Sequence, residues 1–180
     1  MTGVEQKKLL RSEAKRINES FTEEEIRASD ERIMDKVLAS EAFKKAKSIF
    51  VYVSLEKEPD TYRLIKAALE AGKTVCVPKC SKKPEMKAVR ITSLDDLRPG
   101  RFGIPEPASD EAYEGKTDLS VVPCVRAAKD GRRLGHGGGF YDWFLQRNES
   151  YKLCLCRSRL LCDSIPVETF DVLMDEVVTD

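Results

Sequence analysis

Residues 131–142 read Gly-Arg-Arg-Leu-Gly-His-Gly-Gly-Gly-Phe-Tyr-Asp and contain five of the chain's ten glycines. Glycine has no Cβ, so the backbone there can turn through positive φ without a clash, and its N–H groups can come close to a ligand. Rimmed by Arg132 and Arg133, such a loop suits a phosphate. Phe140, Tyr141, Trp143, Phe144 and Leu145 then read as the opening of an apolar helix. A helix start presents unpaired N–H groups and a partial positive charge to an anion. Asp142 falls in that first turn, where a carboxylate either caps the helix or holds a Mg²⁺ that bridges phosphate oxygens. The same glycine run also suits a turn with no ligand, so other residues must decide between the two.

Three other segments carry groups able to do chemistry. Lys7 and Arg11 lie one helical turn apart and can face a single anion, or can belong with Lys8 to a solvated helix face. Residues 54–61, Ser-Leu-Glu-Lys-Glu-Pro-Asp-Thr, form an acid-rich connection in which a carboxylate can meet a polar ligand; the plainer reading is a solvated loop with Thr61 as helix cap. Near the end, Glu168, Asp171, Asp175 and Glu176 offer a second metal contact or ordinary turn and cap roles. His136 is the only histidine and has no evident partner for general-base work.

The elements that would position these groups follow from periodicity. Leu10, Ala14 and Ile17 recur at helical spacing in a charged first segment, and Thr22 with Glu25 makes a capping box for a second helix carrying Ile26, Ile33, Met34, Val37 and Leu38. A β-branched and aromatic run at residues 49–53 predicts a buried strand. A helix bearing Leu64, Ile65, Ala68 and Leu69, closed by Gly72, leads to a strand at 74–77, which makes a βαβ unit. Further strands are expected at 86–91, 119–122, 153–156 and 176–178. Residues 98–116 hold too many prolines and glycines for a regular element and read as a long, functional loop. The sum is a single-domain three-layer α/β/α fold, with an open, mostly parallel, Rossmann-like sheet and two N-terminal helices.

Composition narrows the function. At 180 residues the chain suits one domain, and 31 basic residues balance 31 acidic ones. There is no global field for nucleic acid or an anionic membrane, so any anion site is local. Six cysteines without Cys-x-x-Cys spacing, and one histidine, speak against structural zinc and for buried, reduced thiols. The charged N-terminus lacks an apolar secretory core, and no run is long enough to span a membrane. The expectation is a cytoplasmic protein.

Taken together, Lys7-Lys8-Leu9-Leu10-Arg11, residues 54–61, Gly103-Ile104-Pro105-Glu106-Pro107, residues 131–142 and Met174-Asp175-Glu176-Val177 resemble the 5-formyltetrahydrofolate cyclo-ligase, or 5,10-methenyltetrahydrofolate synthetase, family. The most specific stretch is Arg133-Leu134-Gly135 through Gly139-Phe140-Tyr141-Asp142, similar to that family's Arg-Leu-Gly-x-Gly-x-Gly-Tyr-Tyr-Asp signature. Val125-Arg126-Ala127-Ala128 departs from the more apolar, Phe-containing segment expected there, and Phe170 stands where a His before Asp171 is common. The resemblance implies ATP- and Mg²⁺-dependent closure of 5-formyltetrahydrofolate to 5,10-methenyltetrahydrofolate by a monomeric enzyme, with release of ADP and phosphate. It implies that Lys7, Lys8, Arg11, Arg133, Leu134, Gly135, His136, Gly137, Gly138, Gly139, Phe140 and Tyr141 bind ATP, and that Asp142 and Asp175 hold Mg²⁺. Val53, Glu58 and the stretch His136, Gly137, Gly138, Gly139 and Phe140 would line the formylfolate side. Arg133, Tyr141 and Asp142 would carry the catalysis.

Overall fold

Two capping boxes open the chain. In the computed structural model, which describes residues 1–180, Thr2 and Glu5 exchange backbone and side-chain hydrogen bonds at the start of α1 (Gly3–Ser20), and Thr22 and Glu25 do the same for α2 (Glu23–Ala39). Ser40 accepts from Phe43 N at 3.2 Å and starts the short α3 (Glu41–Lys45). The strands β1 (Ser48–Val51), β2 (Thr74–Cys80) and β3 (Met86–Ile91) follow, with α4 (Tyr62–Glu70) between β1 and β2. Next come β4 (Leu97–Pro99), β5 (Pro105–Pro107), β6 (Leu119–Val122), β7 (Arg126–Ala127), β8 (Arg133–Leu134), α5 (Phe140–Arg147), β9 (Tyr151–Leu155) and β10 (Glu176–Val178).

The main sheet has the order β10-β9-β6-β1-β2-β3 and is parallel except for β3 on β2. Its pleat sorts the side chains. Ile49, Val51, Val75, Val77, Leu119, Val121, Leu153 and Leu155 pack under α2, α3 and α4. The alternating residues Phe50, Cys76, Val122 and Cys154 pack under α1 and α5. Both faces are therefore covered, as a parallel sheet requires. The concentration of cysteine has a packing reason: the Phe50 and Phe144 rings stack with centroids 4.2 Å apart on the α5 face, and small apolar thiols fill the space beside them. All six cysteines are free thiols, with Cys80 and Cys162 only partly buried.

Strand order reverses at β1, with β2 and β3 to one side and β6, β9 and β10 to the other. The crevice beyond the carboxyl ends of β1 and β6 is where such sheets bind ligands.

Two expectations need correction, and one open alternative closes. Residues 98–116 are not irregular throughout: β4 and β5 pair as an antiparallel ribbon, Leu97 opposite Pro107 and Pro99 opposite Pro105. Proline is tolerated because a two-stranded ribbon needs donors on one edge only. Thr61 makes no side-chain cap; its Oγ1 donates to Tyr52 O at 2.6 Å, while Asp60 Oδ1 accepts from Tyr62 N at 3.1 Å. Lys7 does not lie on a solvated face but is buried, at 7% exposure.

Candidate active site

The glycine loop lies between the β7–β8 hairpin and α5. Gly137 and Gly139 have φ of 98° and 73°, a region that L side chains avoid. Gly139 is the N-cap of α5 and supplies no side-chain partner, so the first N–H groups of the helix stay open to a ligand. At Gly138 a Cβ would come within 2.7 Å of the Phe140 ring. Gly131 does something different. A Cβ there would meet Met174 O at 2.4 Å, and Met174 N donates to Gly131 O at 2.8 Å, so this glycine serves the packing of the C-terminal segment rather than the loop.

Cations lie beneath the loop. Arg11 Nε donates to Gly135 O at 2.9 Å, and its guanidinium is 3.7 Å from where a Cβ of Gly137 would stand. Arg133, with a side chain only 4% exposed, donates from Nη1 to Pro123 O at 2.9 Å, reaches Asp142 Oδ2 at 3.4 Å and lies over the Tyr141 ring. Its Nε is buried with no hydrogen-bond partner, which is uncommon for a buried donor. Asp142 Oδ1 accepts from Val172 N at 3.1 Å. Burial, and then the charge of Glu58, push the Tyr141 phenol far above its ordinary pKa, so it keeps its proton and can donate.

Lys7 and Arg11 share a face of α1. Lys7 Nζ pairs with Asp171 Oδ2 at 2.6 Å and Glu168 Oε2 at 2.7 Å. Burial opposes its charge, yet these two carboxylates carry its pKa above the ordinary lysine value. Lys8 is exposed. Asp175 is not brought to Asp142: its Oδ2 accepts from Lys152 N at 2.8 Å, at the start of β9. No group of three or more His, Cys, Asp or Glu converges as a metal centre.

The β1–α4 connection forms the opposite wall. Glu58 Oε2 accepts from Leu55 N at 2.8 Å, and Oε1 lies 3.8 Å from His136 Nε2 on the glycine loop, so the two segments meet across the crevice. Val53, at 2% exposure, sends its side chain into the core under α2 and α4, leaving only its backbone to the crevice. Sequence reasoning missed Phe102, at the tip of the β4–β5 ribbon. It is 72% exposed, adopts φ 58° without being glycine, and sets its ring edge-on to Phe140 with centroids 6.4 Å apart. The one available signal was an aromatic residue among breakers in a long loop. The departure at Arg126 also acquires a role, since it pairs with Glu13 of α1 at 2.8 Å and donates to Leu160 O and Leu161 O, tying α1 to the segment after β9.

The family model for the 5-formyltetrahydrofolate cyclo-ligase family matches residues 3–180. A probable 5-formyltetrahydrofolate cyclo-ligase of Caenorhabditis elegans is 32% identical, over 97% of this chain and 92% of its own length. The 5-formyltetrahydrofolate cyclo-ligase of Mus musculus is 29% identical, over 96% and 92%. Among solved structures, the 5,10-methenyltetrahydrofolate synthetase of Aquifex aeolicus superposes with a TM-score of 0.85 at 30% identity, covering 96% of this chain and 89% of that one. With the whole α/β/α framework shared at that level, the chain belongs to the 5-formyltetrahydrofolate cyclo-ligase family.

Proposed function

We propose that the protein closes 5-formyltetrahydrofolate to 5,10-methenyltetrahydrofolate at the expense of ATP, releasing ADP and phosphate. The observation that carries this reading is the seating of Arg11 and the buried, partly unpaired Arg133 against a glycine loop that opens α5. An N5-formamide is a poor electrophile. Transfer of the γ-phosphoryl group to the formyl oxygen makes its carbon attackable; N10 then adds to that carbon and loses its proton to solvent, and phosphate leaves with the C–O bonding pair as the ring double bond forms. Such transfer needs positioning and neutralisation of charge more than a protein nucleophile, which accords with a crevice holding no nucleophile-and-base pair.

On this reading the open N–H groups of the loop and of the first α5 turn cradle phosphates, with Lys7, Lys8 and Arg11 holding ATP from α1. Arg133 would neutralise charge on the transferring group, and the protonated Tyr141 would donate a hydrogen bond. Mg²⁺ commonly takes only one or two carboxylates besides phosphate oxygens and water, so Asp142 in the first turn of α5 fits it, while Asp175, held on Lys152 N at the start of β9, is left out of the metal site. The metal would supply charge neutralisation. Glu58 accepts hydrogen bonds from the pterin amine and ring N–H, while Phe102 and Phe140 offer aromatic surface beside it. A cytoplasmic, monomeric enzyme completes the proposal.

Incubation of the pure protein with 5-formyltetrahydrofolate, ATP and Mg²⁺ should generate the near-ultraviolet absorbance of the methenyl product, and omission of ATP should abolish it. Folded protein that gives no ATP-dependent product refutes the reading.

A further inference from the structure

Arg157, at the carboxyl end of β9, is fully buried, with a side chain 1% exposed. Nothing in the proposed chemistry uses it. Its guanidinium pairs with Asp30 Oδ1 of α2 at 2.8 Å and donates to Glu58 O at 3.1 Å, Lys57 O at 3.4 Å and Ile26 O at 3.3 Å. Asp30 Oδ1 in turn accepts from Asp60 N at 3.2 Å. Between these contacts, the fully buried Tyr52 donates its hydroxyl proton to Pro59 O at 2.7 Å. Three consecutive carbonyls, at residues 57, 58 and 59, are thus each held by a buried donor, and the next N–H by the carboxylate that Arg157 pairs with.

We infer that Arg157 is a positioning residue for Glu58, and that with Asp30 it sets the affinity for the folate substrate while leaving ATP binding alone. Five donors in a rigid fork can hold several carbonyls in one plane, which a lysine ammonium cannot do. A supporting contact of this kind fixes the rotamer and height of the carboxylate that meets the ligand. Arg157 reaches the glycine loop only through Glu58 and its 3.8 Å approach to His136, so its influence should stay on the folate side. The inference rests on the proposed role of Glu58.

The test measures KM for each substrate separately in Arg157→Lys, Asp30→Asn and Glu58→Ala, and in the double variant Arg157→Lys with Glu58→Ala. Arg157→Lys keeps a buried cation beside Asp30 and so guards against loss of the fold, with circular dichroism as the check. We expect its KM for 5-formyltetrahydrofolate to rise on the order of tenfold, as for misplacement of a preorganised contact, with KM for ATP within about twofold. Asp30→Asn should move the same constant in the same direction. In the Glu58→Ala background, Arg157→Lys should add nothing. A folded Arg157→Lys with an unmoved folate KM, an equal shift for ATP, or an undiminished effect in the Glu58→Ala background overturns the inference while wild-type turnover still stands. Absence of wild-type turnover overturns the reading beneath it as well.

Discussion

Asp142, Arg11 and Arg133 show how much one side chain can depend on its neighbours in this crevice. Asp142 is held by a backbone N–H and a guanidinium, so its carboxylate is oriented before any ligand arrives. Asp142→Asn and Arg11→Ala should each lower kcat by on the order of 10² while leaving the fold intact, the scale for removing one preorganised electrostatic group; steady-state turnover checks this, and full activity in both would refute the site map. The thiols point the other way. Burial raises Cys80 to about 11 and Cys76 to about 12. Because the thiolate is the reactive form, alkylation of half-buried Cys80 by iodoacetamide should be slow at pH 7.5 and accelerate steadily up to pH 10 as ionisation is approached, followed by mass spectrometry. Rapid labelling at neutral pH would contradict its burial.

Among the elements, α5 and the loop before it depend most on glycine. Gly139 holds φ 73° at the N-cap, and an alanine there must adopt a left-handed conformation costing about 1 kcal/mol. Gly139→Ala should therefore lower stability in urea by about that amount and raise KM for ATP, since the N–H groups that follow would shift. Equal stability with unchanged KM would show that the turn is not needed. The β4–β5 ribbon is the less expected element. Lys79 donates to Pro107 O and Ser109 O and pairs with Asp110 at 3.0 Å, and Tyr113 N donates to Ala88 O, so residues 107–113 are pinned to the sheet. The exposed tip at Phe102 is left as the part free to meet a ligand.

At the scale of the whole molecule, the amino ends of β1 and β6 are joined by one carboxylate. Asp118 Oδ2 accepts from Lys47 N at 2.7 Å and Ser48 N at 3.1 Å, and these bonds lower its pKa below the ordinary 3.8. A carboxyl depressed by folding contributes stability above its unfolded pKa and loses it as pH falls through the folded value. Asp118→Ala should destabilise by about 1 kcal/mol at pH 7, and the difference from wild type should shrink below pH 4. Thermal melts across that range test it, and a pH-independent gap would show that the carboxylate's charge is not involved.

The sequence by itself determined α1, α2, α4, α5, the six strands of the main sheet and the glycine loop, because periodicity, capping residues and glycine are local properties: Thr22 with Glu25, the β-branched and aromatic run through Phe50, and Gly137 and Gly139 are all readable in place, whereas α3 and the β4–β5 and β7–β8 pairs are not. The grouping of Lys7, residues 54–61 and the loop was legible only through the resemblance. Tertiary structure alone decided which charges are buried. The acidic partners of Lys7 lie more than 160 residues away, so its burial is not written in the helix pattern, and the carbonyl acceptors of Arg157 carry no sequence signal. Thr61 keeps the N-cap position but spends its hydroxyl on Tyr52 O and Ser54 N, so the first helical N–H, that of Tyr62, goes to Asp60 Oδ1 instead. Such choices are made by competition among partners brought together by the sheet, and a chain read in order does not contain that competition.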